Sequence, residues 1–132
     1  MSRVFVDTSA LLAFLVPTDA SHQESLQAFG RLQAREAALV TTSYVLCETY
    51  ALLSRRFGLD KVRAFREGLE ALLDCVWVDQ ELHQKGLDLL LAQSRPGLSL
   101  VDAVSFATMR GHRLDEAFAY DRHFEREGFR CL

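Results

Sequence analysis

The chain has 132 residues, 15 Lys+Arg against 18 Asp+Glu, with 49% hydrophobic and 25% charged residues, the usage of an ordinary globular protein and not of a disordered or fibrous one. Its length suits one domain, residues 1–132, with a core that needs no staples, and its net charge of -3 excludes coating nucleic acid by bulk electrostatics, though not enzymatic work on it. No stretch approaches the roughly 20 apolar residues of a membrane span and the opening lacks the apolar run of a signal peptide, so a cytoplasmic protein with no membrane contact is expected.

In chain order, Val4-Phe5-Val6 reads as a strand that ends at Asp7-Thr8-Ser9 and feeds a helix over Ala10 to Val16, closed by Pro17. Asp19 to Glu36 reads as an amphipathic helix with Leu26, Phe29 and Leu32 at helical spacing, and Leu39 to Thr42 as a second strand. From Ser43, a candidate N-cap, an apolar helix runs to Phe57 and stops at Gly58; Asp60 opens another carrying Val62, Phe65, Leu69 and Leu72. Cys75 to Val78 is a third strand, followed by Asp79 as an ordinary cap for a helix over Gln80 to Gln93. The breaker run Ser94-Arg95-Pro96-Gly97 precedes a helix from Ser99 to Arg110. Ala117 to Tyr120 reads as a fourth strand, Asp121 to Glu127 as a short helix, and Phe129 to Cys131 as a final strand. Strands alternating with helices predict an α/β protein, a three-layer α/β/α sandwich on a central, mainly parallel sheet of four to five strands. Cys47, Cys75 and Cys131, odd in number and set in apolar sequence, are expected to be reduced core residues.

Sites in open parallel sheets form beyond the carboxyl ends of the strands, and four acids stand there: Asp7, Glu48, Asp102 and Asp121. Three have a structural reading as well. Asp7 and Asp121 can cap the helices that follow them, and Asp102 stands in a capping-box spacing after Ser99. Glu48 interrupts a helix that is apolar on nearly all sides, where a lone carboxylate is costly unless an arginine or a cation meets it. If the four converge, mutual repulsion calls for a divalent cation, and an all-oxygen set suits magnesium or manganese better than zinc. His22, His83, His112 and His123 show no ligand spacing.

The segments Val4 to Leu12 (VFVDTSALL), Ser43 to Tyr50 (SYVLCETY), Leu98 to Phe106 (LSLVDAVSF) and Tyr120 to Phe124 (YDRHF) followed by Gly128-Phe129 together resemble the PIN-domain family, and within it the VapC-type ribonuclease toxins of prokaryotic toxin-antitoxin pairs. The resemblance spans the whole chain. It implies that Asp7, Glu48, Asp102 and Asp121 form a metal-binding active site holding Mg2+ or Mn2+, and that the activity is hydrolysis of RNA phosphodiesters. It also implies a small antitoxin partner and a homodimer, for which the apolar hairpin from Tyr44 to Leu73 is the expected interface. Many members carry a hydroxyl or amide side chain two residues before the last acid, where this chain has Ala119. Thr8, Ser9, Arg95 and Arg122 are candidate substrate contacts, with His123 beside them as part of a basic rim around an acidic site. A haloacid-dehalogenase-type phosphatase is opposed by Ser9 in place of a second aspartate, and a phosphoacceptor receiver by the want of a suitably placed lysine. The competing reading that remains is a non-catalytic PIN-like binding module whose acids are structural.

Overall fold

A computed structural model describes residues 2–132. Five strands, β1 (Arg3–Val6), β2 (Ala38–Thr42), β3 (Leu73–Val76), β4 (Glu116–Phe118) and β5 (Arg130–Cys131), form one sheet in the order β3-β2-β1-β4-β5, with every neighbouring pair parallel. Seven helices flank it: α1 (Thr8–Leu15), α2 (His22–Ala34), α3 (Ser43–Phe57), α4 (Leu59–Glu67), α5 (Gln80–Gln93), α6 (Leu100–Gly111) and α7 (Arg122–Arg126). This is the expected α/β/α sandwich. Val4, Phe5 and Val6 are all buried because β1 lies mid-sheet and both its faces are covered, as a continuous apolar run requires. Phe5 stacks on Phe124, and Phe106 meets Phe124 edge-to-face, within the buried core. Among the described residues no helix is long and apolar enough to cross a membrane.

The strand order places a topological switch between β1 and β4. From β1 the chain steps outward to β2 and β3, then returns to the other side of β1 for β4 and β5. Loops after β1 and β4 therefore diverge and leave a crevice at their carboxyl ends. Asp7 N–H donates to Phe118 O at 3.1 Å, tying the two strand ends together at the floor of that crevice.

Several local expectations shift. β3 starts and ends two residues early because its ladder with β2 runs from Leu39 opposite Leu73 to Thr42 opposite Val76 and finishes where β2 finishes, leaving Trp77 75% exposed. Thr42, and not Ser43, caps α3 by accepting from Val45 N–H at 3.1 Å; the Ser43 hydroxyl accepts from Val78 N–H instead. In α2 the buried stripe is Ser25, Ala28, Phe29 and Leu32, with Leu26 displaced to the exposed edge. Helix α3 is buried only along Val45, Leu46, Thr49 and Leu53. Its opposite face, including Cys47 and Ala51, is exposed. All three cysteines are free as expected; Cys75 and Cys131 are half-buried and pack against the core, and only Cys47 departs from the expected core placement. Apolar composition could not tell an outward face from an inward one here, since only the placement of neighbouring elements decides that.

Candidate metal centre

Asp7, Glu48, Asp102 and Asp121 line one open cleft of about 320 Å³, together with Thr8, Ser9 and Gly97. Each acid reaches it from a different element: Asp7 from the end of β1, Glu48 from the second turn of α3, Asp102 from the first turn of α6, and Asp121 from the turn before α7.

Capping and chemistry turn out to be compatible in these residues, because a carboxylate has two oxygens. Asp7 caps α1: its Oδ2 accepts from Ser9 N–H at 3.1 Å and from Ser9 Oγ–H at 2.7 Å. The other oxygen, Oδ1, is buried and has no hydrogen-bond partner. Asp102 completes the expected capping box, accepting from Ser99 N–H through Oδ2 at 3.3 Å while its own N–H donates to Ser99 Oγ at 3.0 Å. Asp121 caps α7 by accepting from His123 N–H at 2.9 Å through Oδ1. Asp79 caps α5 in the same way but away from the cleft.

Burial is the first consequence of this placement. Asp7 is 3% exposed and Asp102 6% exposed. Loss of hydration raises the Asp7 carboxyl to about 7; the Ser9 hydrogen bonds oppose the rise and the Asp102 and Asp121 charges add to it. Asp102 is raised to about 6, first by burial and then by the Asp121 charge, against the hydrogen bonds from Ser99 and the nearby His123. Carboxyls that resist ionisation side by side, one with an orphaned buried oxygen, fit a divalent cation as the missing partner. Glu48 departs from its expected environment. It is half-buried at the mouth of the cleft and takes part in no ion pair among the described residues.

Around the acids, Ser9 has a dual role: its hydroxyl donates to Asp7 and accepts from Tyr120 N–H at 2.9 Å, joining the turn after β4 to the turn after β1. That contact anchors the segment in which Ala119 is buried and offers no hydroxyl of its own. Thr8 is buried, with Oγ1 directed to Val45 O at 3.5 Å. Arg122 is exposed and lies with Asp121 and Arg126 along a second, polar cavity that shares Asp121 with the cleft. Arg95 is committed elsewhere: it pairs with Glu127 at 3.3 Å, and Arg110 meets the same carboxylate at 2.5 Å. These partners hold the Glu127 carboxyl below its ordinary range despite its burial. The residue that sequence spacing missed is His123, whose ring nitrogen, with one carboxylate oxygen each from Asp102 and Asp121, belongs to a group of ligand atoms within 4.8 Å of one another. A lone histidine two positions after an acid gives no ligand signal by itself.

Residues 4–129 match the PIN domain family. The chain is 32% identical over 127 residues to the 23S rRNA-specific endonuclease VapC20 of Mycobacterium tuberculosis, covering 96% of this chain and 95% of that protein. Its structure resembles the crystal structure of the same toxin, described as cleaving the sarcin-ricin loop, with a TM-score of 0.81 and 34% identity over 96% of this chain and 95% of that one. A toxin-antitoxin complex from Klebsiella pneumoniae shares the fold at a TM-score of 0.71 and 18% identity, covering 98% of this chain and 95% of the other. The sheet order, the cleft at its switch point, the four acids that line it and these likenesses over nearly the full length agree: the chain belongs to the PIN-domain family.

Proposed function

We propose that residues 1–132 form one PIN unit that acts as a ribonuclease toxin, hydrolysing RNA phosphodiester bonds with Mg2+ or Mn2+ held in the cleft, and that it is paired in the cytoplasm with a small antitoxin. The observation that carries this reading is the convergence of Asp7, Glu48, Asp102 and Asp121 on one cleft with Asp7 Oδ1 buried and unpaired. A divalent cation bound there supplies positive charge to the scissile phosphate and lowers the pKa of water beside it.

The chain's own groups have distinct tasks. Asp7 and Asp102, held by Ser9 and Ser99, are the most rigidly aimed ligands. Glu48, half-exposed and unpaired, is placed at the mouth to orient water and take up its proton. Asp121 contributes from the α7 cap. Arg122, beside Asp121 on the exposed side, supplies positive charge for an RNA phosphate. Thr8 and Ser9 shape the floor, and Arg95 acts on RNA only through the loop that it anchors to Glu127. The likeness to a 23S rRNA endonuclease favours a structured ribosomal RNA segment as the substrate. The fold shared with toxin-antitoxin complexes favours an antitoxin that occludes the acidic cleft. The exposed face of α3, with Leu59 and Leu72 nearby in the hairpin, favours a homodimer.

Incubating a ribosomal RNA preparation with the wild type and with Asp102→Asn, in Mn2+ and then in EDTA, tests the reading. Cleavage by the wild type in Mn2+ alone, reduced at least about 100-fold in a variant that still folds, is the expected result. Equal cleavage by both proteins overturns it. Absence of cleavage together with absence of Mn2+ binding favours the non-catalytic module.

A further inference from the structure

Asp102, Asp121 and His123 each offer one ligand atom, all within 4.8 Å of one another. An octahedral ion with bonds of about 2.1 Å keeps its ligands roughly 3 to 4.2 Å apart, so small side-chain rotations close this set around a cation. Two further features mark a ligand position and not an idle acidic cluster. Asp7, 3% exposed, carries an unpaired buried Oδ1 and senses the charges of both Asp102 and Asp121. His123 Nδ1 is also buried and without a hydrogen-bond partner, an unfavourable state for a ring nitrogen unless something meets it. The ring is held in place from outside the acids. A Cβ on Gly97, whose φ is +80°, would stand 3.5 Å from His123 Nε2, so that loop packs closely over the imidazole. The Arg95–Glu127 pair pins the same loop.

We propose that His123 is a nitrogen ligand of the divalent cation, completing a set of Asp7, Asp102 and Asp121 oxygens, and that the site therefore takes Mn2+ in preference to Mg2+. Magnesium strongly prefers oxygen donors, whereas imidazole suits transition metals. This deepens the metal reading given above and rests on it.

Pulsed electron paramagnetic resonance on the full chain loaded with Mn2+ alone tests the assignment. The wild type is expected to show nitrogen hyperfine coupling from one directly bound imidazole, altered by isotope-labelled histidine and lost in His123→Asn. In that variant the Mn2+ over Mg2+ affinity ratio, read by competition, is expected to fall about tenfold or more. Mn2+ bound by the wild type with no nitrogen coupling overturns the role of His123 and leaves the acidic cation site standing. Nitrogen coupling that persists in His123→Asn places the ion at another histidine and likewise overturns it. If the wild type binds no Mn2+ at all, both this inference and the metal reading fail. Should His123→Asn not fold, the wild-type spectra with and without labelled histidine, together with His22→Asn, His83→Asn and His112→Asn, decide which ring is bound.

Discussion

Asp7 meets two demands with one carboxylate: Oδ2 closes the start of α1 and Oδ1 is left buried and unpaired in the cleft. The stability consequence has a definite sign. A carboxyl whose folded pKa is raised stabilises the fold below its unfolded value, near 3.9, and that contribution is lost as pH climbs through the folded value. With Asp7 at about 7 and Asp102 at about 6, the metal-free protein is expected to lose several kcal/mol of stability between about pH 4 and pH 7, with Tm falling across the same window. Asp7→Asn in EDTA at pH 8 should then melt higher than the wild type, and added Mn2+ should stabilise only the wild type. A wild-type Tm in EDTA that rises steadily from pH 5 to pH 8 would contradict this account. Ser9→Ala removes the donor to Asp7 and leaves Tyr120 N–H without its acceptor, so thermal unfolding should register a loss of about 1–3 kcal/mol. Mn2+ affinity should weaken about tenfold in the same variant because Asp7 loses its orientation.

At the scale of elements, α6, the helix that carries Asp102, is drawn closely against α5. Gly86 makes that approach possible: a Cβ there would stand 2.4 Å from Val104 Cγ2 and 3.2 Å from Val104 Cα. Gly86→Ala is expected to cost about 1–3 kcal/mol through overpacking, seen as a lower midpoint in urea. Removing the obstructing methyl tests the cause. Gly86→Ala introduced into Val104→Ala should cost less than in the wild type, giving a favourable coupling in the double-mutant cycle; additive losses would mean that the Gly86–Val104 contact is not the source. Element boundaries moved for reasons of the same kind. β3 ends with β2 because an edge strand pairs only where its neighbour offers a ladder, and Ser43 yields the α3 cap to Thr42 because its hydroxyl is engaged by Val78.

For the whole molecule, the strand order β3-β2-β1-β4-β5 is what brings residues 7, 48, 102 and 121 to one cleft. It also leaves an outward α3 face with Cys47 and Ala51 exposed. If that face joins two copies, light scattering at micromolar concentration should give twice the 14.9 kDa chain mass. Ala51→Arg, a surface change that leaves the core of the chain intact, should shift the mass to that of one chain without lowering Tm by more than about 2 °C. A monomeric wild type would remove the dimer from the functional picture.

By itself the sequence was sufficient for the alternation of strands and helices, the parallel sheet, and the four acids after strand ends or in early helical turns. Those features are local: hydrophobic period, Gly and Pro breaks, and oxygen-bearing side chains at helix starts are written in neighbouring residues. Capping and site readings of Asp7, Asp102 and Asp121 stood as rivals in the sequence, and the structure shows that capping does not withdraw these acids from the cleft: one oxygen is bonded at the helix start while the residue still lines the cleft. Tertiary structure alone decided that Glu48 stands half-open at the mouth, that Arg95 is spoken for by Glu127, and that His123 joins Asp102 and Asp121. Each of these depends on elements far apart in sequence meeting in space, a relation that no spacing within a helix or strand encodes.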